Sequence, residues 1–165
     1  PRGLGILPNG DVIACNFYGK TVFKISNNSG NFSIVHESEI FDKETYGGNL
    51  RDILLSNDSN RIYVSNLGRN MILVYDANSL RLLDTILITR EPNSIRFYDN
   101  QKYILASSRK DDVVSVIDIH NNKVIGMSEK TGRLPTGLEV IDGGFLVTNF
   151  TDGSVELHTF TPNFR

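Results

Sequence analysis

Ile53-Leu54-Leu55, Tyr63-Val64-Ser65-Asn66 and Val74-Tyr75-Asp76 return along the chain as Ile95-Arg96-Phe97, Leu105-Ala106-Ser107-Ser108 and Val116-Ile117-Asp118. All three pairs are separated by the same 42 positions: 53 to 95, 63 to 105, 76 to 118. Another copy runs from Pro135-Thr136-Gly137-Leu138 through Val147-Thr148-Asn149, and one more, with a longer tail, from Pro1-Arg2-Gly3-Leu4 through Ala14-Cys15-Asn16. A period of roughly 40–45 residues is the length of one four-stranded propeller blade. The repeat therefore predicts an all-β chain, a β-propeller of four-stranded antiparallel blades. About four blades are present, at approximately 1–48, 49–90, 91–134 and 135–165, the last incomplete.

Each copy breaks into short apolar segments divided by turn chemistry. In the second, Asp52-Ile53-Leu54-Leu55 reads as the innermost strand and Asn57-Asp58-Ser59-Asn60 as a turn. Arg61–Ser65 and Met71–Asp76 are the next two strands, and a hairpin at Ala77-Asn78-Ser79 leads to the outermost strand, Leu82–Ile86. Segments about 8–12 residues apart suit an all-β fold and leave no room for βαβ crossovers. Asn, Gly and Asp recur at Pro8-Asn9-Gly10-Asp11, Asp99-Asn100-Gln101-Lys102 and Asp142-Gly143-Gly144 because tight β-turns demand positive φ.

Composition sets outer bounds. The chain has 165 residues, 39% hydrophobic and 22% charged, enough to bury a core. A net charge of −2 lacks the broad cationic field of a nucleic-acid binder, so no nucleic-acid partner is expected. The single cysteine, Cys15, rules out an internal disulfide and a multi-thiolate metal centre. It sits in the apolar run Val12-Ile13-Ala14-Cys15 and is expected to be buried and inert. No apolar run reaches the roughly 18 residues of a membrane span, so none is expected. The repeat begins at residue one, and no leader segment is expected within it.

Tyr63-Val64-Ser65-Asn66, Leu146-Val147-Thr148-Asn149, Val114-Ser115-Val116-Ile117-Asp118 and the spaced Pro92-x-x-Ile95 and Pro135-x-Gly137-Leu138 resemble the YVTN-type propeller repeat. That repeat belongs to a wider group similar to lactonases, streptogramin lyases and NHL proteins. The resemblance implies a ring typically of seven blades, ligands at one end of a central channel, and a cell-surface, extracellular or periplasmic location. A cytoplasmic one is not excluded. The phase of the repeat adds a second expectation. Pro1 opens on an innermost strand and Val155-Glu156-Leu157-His158 is a third strand, so neither end offers the missing outer strand of blade four. These residues are therefore expected to form part of a larger ring, with a complete four-bladed domain as the alternative.

In a propeller, the loops joining strands two and three and the connections between blades surround the channel mouth. Positions just before each innermost strand are Arg2, Arg51, Asn93 and Thr136. Two arginines from adjacent blades can grip a carboxylate or phosphate. Against this, Arg51 can pair with Asp52 or Glu44, and Asp42, Glu91, Asp111 and Asp112 match the basic loop residues. Asn16, Asn66, Ser108 and Asn149 form a second set at the end of each second strand, where Asn either caps the following loop or lends an oxygen to a ligand. The lactonase-like resemblance implies a divalent cation held near the axis by an acidic residue with Asn and Asp. Here Arg2, Arg51, Asn93 and Thr136 stand where that carboxylate is wanted, which disfavours a metal, and no cofactor is expected. Phe17, Tyr18, Phe23 and Phe32 are expected to pack between blades. His36, His120 and His158 fall on separate segments, and no catalytic triad is read.

Two functions fit. The first is a non-catalytic binding or scaffold module presenting its loop face, around Arg2, Arg51, Asn93, Asn16, Asn66 and Asn149, to a protein, glycan or cofactor-bearing partner or to the remaining blades. The alternative is part of a lactonase-, lyase- or dehydrogenase-subunit-like propeller enzyme whose catalytic residues lie mostly outside this segment.

Overall fold

The computed structural model describes residues 2–18, 20–40 and 49–159. Four antiparallel sheets follow one another in chain order. The first holds β1 (Leu4–Ile6), β2 (Val12–Cys15), β3 (Val22–Asn28) and β4 (Asn31–Glu37). The second holds β5 (Leu50–Leu55), β6 (Arg61–Asn66), β7 (Met71–Asp76) and β8 (Leu82–Leu87). The third holds β9 (Pro92–Tyr98), β10 (Tyr103–Ser108), β11 (Val113–Asp118) and β12 (Lys123–Met127). The fourth holds β13 (Pro135–Ile141), β14 (Gly144–Asn149) and β15 (Ser154–Thr159). Each is an up-and-down meander of propeller-blade type, and the described residues contain no α-helix. The residues Phe41 to Gly48 of the expected blade-to-blade connection, with Asp42 and Glu44, and the tail from Phe160 lie outside the described residues.

Two compact units divide the chain, Pro1–Ile88 and Thr89–Arg165, each carrying two sheets. In the first, Leu7, Ile13, Cys15 and Val22 of sheet one pack with Leu50, Ile53, Ile62, Val64, Leu73 and Tyr75 of sheet two. In the second, Leu105, Val114 and Val116 pack with Leu138, Phe145 and Val147. The middle strands β6, β7, β10 and β11 are buried along nearly their whole length, so their apolar residues run continuously instead of alternating. The outer strand β12 alternates, and β4 is exposed throughout.

Turn chemistry works as the sequence indicates. Asp76 Oδ1 accepts the Asn78 and Ser79 N–H groups at 3.1 and 2.8 Å, and Asp118 Oδ1 accepts from His120 N–H at 2.8 Å. Both aspartates close the hairpin after the third strand. The backbone N–H donors lower the Asp76 carboxyl below its ordinary range, with the Ser79 N–H the largest cause.

One irregularity recurs in blades two, three and four. Pairing between the first and second strands slips at Leu50/Ile53, Ala106/Ser108 and Pro135/Gly137, leaving an N–H of the first strand off the ladder. A side chain of the second strand takes that N–H: Ser65 from Asp52 at 3.0 Å, Ser107 from Ser94 at 3.0 Å, Thr148 from Gly137 at 2.9 Å. In blade one the acceptor is the sulfur of Cys15, 3.3 Å from the Gly3 nitrogen. Cys15 is fully buried, and burial pushes its thiol up to about 11, so it stays a thiol at neutral pH.

Candidate functional site

The loops between second and third strands share one plan. In blade two, Asn66 ends β6 and its Oδ1 accepts the Arg69 N–H at 3.2 Å, capping a single 3₁₀ turn, Leu67–Arg69. In blade three, Ser108 stands in this place: its carbonyl accepts the Asp112 N–H at 3.0 Å, and its hydroxyl meets that of Thr89. In blade four, Asn149 Nδ2 donates to Ser154 Oγ at 3.1 Å, while its buried Oδ1 has no hydrogen-bond partner. In blade one, the Asn16 carbonyl accepts the Lys20 N–H at 3.2 Å. The residue closing each loop is left-handed: Lys20 (φ 62), Asn70 (φ 55), Asp112 (φ 52) and Gly153 (φ 63).

In blades two, three and four a second bond ties the loop to the connection leading into its own blade. Leu67 N–H donates to Asn49 O at 2.9 Å, Arg109 to Glu91 O at 3.1 Å and Phe150 to Leu134 O at 3.0 Å. Loops and connections therefore lie together at one end of each blade, and the candidate residues sit among them.

In the first unit, the Arg51 guanidinium lies 4.6 Å from the centre of the Phe17 ring, a cation–π contact between the first strand of blade two and the loop of blade one. Phe17 in turn meets Tyr18 edge-on, with ring centres 4.7 Å apart. Arg2 is exposed, and its N–H donates to Cys15 O at 2.9 Å. In the second unit, Asn93 Nδ2 donates to Thr136 O at 2.6 Å, linking the first strands of blades three and four. Thus Arg51 and Asn93 each join neighbouring blades. Tyr18 and Phe32, expected to pack between blades, are instead mostly exposed, because their strand and loop positions face away from the core shared with the next sheet.

At the positions where the resemblance implies cation ligands, the described side chains have other partners in part. A stacked guanidinium occupies the Arg51 position, and the Asn66 oxygen already accepts a backbone N–H. No group of three His, Cys, Asp or Glu among the described residues is placed to hold a metal.

Sequence reasoning missed a charged network at the loop end of the second unit. Asp111 takes both the backbone N–H of Arg90 at 2.6 Å and its Nε at 2.7 Å. Asp152 repeats the grip on Arg133, N–H at 2.6 Å and Nε at 3.1 Å. Burial pushes the Asp111 carboxyl up, but the Arg90 side chain and backbone outweigh it and hold it below the usual range. The Arg133 N–H and guanidinium do the same for Asp152. Glu91 bridges Lys110 at 2.8 Å and Arg109 at 3.9 Å. A signal was present: Arg90-Glu91-Pro92 and Arg133-Leu134-Pro135 share an Arg-x-Pro pattern, each facing an Asp in its own loop.

One imidazole meets a carboxylate among the described residues. His158 Nε2 is 3.2 Å from Glu156 Oε2, and the ring stacks on Phe145 at 5.0 Å. Both Glu156 oxygens also lie 3.1 Å from the Gly132 nitrogen. A Cβ at Gly132 would stand 2.7 Å from Asn149 Nδ2, so only glycine lets the connection pass this close. The pair sits on the third strand and anchors the connection. On the first unit, a groove of about 640 Å³ runs between β4 and the β7–β8 hairpin, beside His36, Glu37, Glu39 and Arg81. Burial pushes the Tyr75 hydroxyl beneath it up to about 12.

Three four-stranded antiparallel sheets and a three-stranded one, repeated in chain order with loops and connections gathered at one end of each, define a propeller. The family described as lactonase, seven-bladed β-propeller, matches residues 20–142, and the chain belongs to it. A curated relative, Antigen Lp49 of Leptospira interrogans serogroup Icterohaemorrhagiae, is 29% identical over 96% of this chain and 38% of its own length. A solved structure of a candidate 6-phosphogluconolactonase from Bacteroides uniformis superposes with TM-score 0.77 at 18% identity, covering 98% of this chain and 50% of that one. A second, from Bacteroides fragilis, gives TM-score 0.70 at 20% identity over 81% and 40%. The chain thus spans half or less of the length of these relatives, and at such identities the solved structures establish the fold alone.

Proposed function

We propose that this chain is part of a lactonase-like propeller enzyme, one that opens the ester ring of a sugar-acid lactone by attack of water on its carbonyl carbon. The observation that carries this is the family match over residues 20–142. It favours the enzyme over the non-catalytic platform, the first expectation from the residues alone. The candidate 6-phosphogluconolactonases with the same fold point to sugar lactones as the substrate class. Within the first unit, the loop end carrying Arg51 and Asn66 is the surface where substrate would be held, with polar groups orienting the lactone ring.

The YVTN form of the repeat is a finer reading, supported by the hydroxyls of Ser65, Ser107 and Thr148 and the cap at Asn66. A surface or exported location is supported by the resemblance and by the antigen among the relatives.

The test is acid release from δ-gluconolactone and its 6-phosphate, followed by pH-stat with the intact natural polypeptide that carries this chain. Enzymatic release above the spontaneous rate, reduced by Arg51→Ala with the fold intact, is the expected result. Release at the spontaneous rate for both lactones would sink the proposal and return the chain to the platform reading.

A further inference from the structure

The charges at the loop end of the second unit balance in number but not in depth. Arg90 is 63% exposed over Asp111 at 23%, Lys110 is 59% exposed over Glu91 at 20%, and Arg133 is 70% exposed over Asp152 at 33%. In each pair the carboxylate is recessed and the cation faces water. Glu129 and Lys130, both exposed in the same connection, offset one another.

The segments that carry these cations are bonded to one another. Lys130 Nζ donates to Asp111 O, Thr131 N–H to Asp112 O at 2.9 Å, and Leu134 N–H to Asp112 Oδ1 at 2.9 Å, which seats the connection of blade four on the loop of blade three. Arg109 lies among them. Its Nε is buried without a hydrogen-bond partner, and its nearest carboxylate, Glu91, is 3.9 Å away and already holds Lys110. A guanidinium has five N–H donors, and one distant, shared carboxylate satisfies few of them. The backbone under these side chains is fixed by the loop and connection bonds, so the cations are presented from a rigid base.

We propose that this end of blades three and four binds a small multivalent oxyanion, a phosphate-bearing ligand gripped by Arg109 and Lys110 and flanked by Arg90 and Arg133. Phosphate suits the arrangement because it accepts from several planar and tetrahedral N–H groups at once, and charge-assisted bonds are the strong ones. The recessed carboxylates hold the cations in place without covering them. The site stands on charge placement and does not depend on lactone chemistry.

The experiment is a titration of the full chain with inorganic pyrophosphate and with glucose 6-phosphate, followed by the backbone amide and arginine Nε signals in NMR. Saturable shifts confined to residues 90–91, 109–112 and 130–134 are expected. Arg109→Gln combined with Lys110→Gln should weaken binding about tenfold or more, since each removes a charged hydrogen bond. Lys110 is exposed and Arg109 partly so, and Arg109→Lys, which keeps the charge, is expected to recover part of the affinity. Tighter binding of the sugar phosphate would identify the source as an organic phosphate, and tighter binding of pyrophosphate as the free anion. Shifts spread equally over Lys20 and Lys24, or unchanged affinity in the double variant, would overturn the proposal. If phosphate binds here and no lactone is hydrolysed, the site stands and the enzyme reading falls.

Discussion

Ser107 shows how much of a repeat motif is structural. Its hydroxyl accepts the Ser94 N–H that a strand slip has taken off the ladder, in the interior of the blade. Ser107→Ala should cost about 1–3 kcal/mol, the usual penalty for a buried N–H that loses its acceptor, read as a lower urea midpoint. Cys15 fills the same role with sulfur, a weaker acceptor. Cys15→Ser should therefore be tolerated, changing stability by no more than about 1 kcal/mol. A loss of several kcal/mol would show that packing, not the hydrogen bond, fixes that residue. Asp152 supplies a pH test. Its carboxyl is held below the ordinary 3.8 by Arg133 when folded, so its stabilisation is complete above about pH 4 and disappears as pH falls through the lowered value. Urea titrations at descending pH should show Asp152→Asn less stable at neutral pH and less sensitive to acid. Equal acid sensitivity in both proteins would contradict this.

At the scale of the element, the loops carry their own strain. Lys20 holds the left-handed position that Gly153 holds in blade four and Asn70 in blade two, and a lysine there is disfavoured where glycine is at ease. Lys20→Gly should raise stability by about 0.5–1 kcal/mol, visible as a higher urea midpoint, and a lower midpoint would show that the lysine side chain contributes more than the strain costs. The strands themselves were legible in advance, because the 42-residue step aligns apolar runs whose turns are spelled by Asp76, Asp118 and Asn122. The 3₁₀ turn at Leu67–Arg69 was read only as a loop, since three residues carry no periodicity. The Arg90–Asp111 and Arg133–Asp152 grips were not foreseen either. They join residues about 20 positions apart, and in the sequence the acids simply look like compensation for the bases.

For the whole molecule, the outward faces of the terminal sheets matter most. Leu4 and Ile6 are 65% and 73% exposed, and the pairing Ile6 to Val12 to Ile25 to Ile34 places an apolar row across one face of sheet one. In the second unit, Val155 and Leu157 alternate outward on β15. Apolar faces of this kind are sites of association. The isolated chain is expected to self-associate with rising concentration in size exclusion with light scattering, and Ile6→Lys with Ile34→Lys to reduce that association. A strictly monomeric wild-type chain at high concentration would count against it. The match to a seven-bladed family agrees with the sequence expectation of a larger ring.

The loop plan has a consequence for how such a protein changes over time. Between the buried cap (Asn66, Ser108, Asn149) and the left-handed closing residue (Asn70, Asp112, Gly153), each blade inserts three residues: Leu-Gly-Arg, Arg-Lys-Asp and Phe-Thr-Asp. The two ends of each insert are fastened by the cap residue and by the bond to the incoming connection, and its first and third residues are tied down in part by burial of Leu67 and by the Asp111 and Asp152 grips, whereas the middle residues Gly68, Lys110 and Thr151 are exposed. Selection can therefore vary the middle position blade by blade and acquire a new ligand preference while the frame that presents it stays the same.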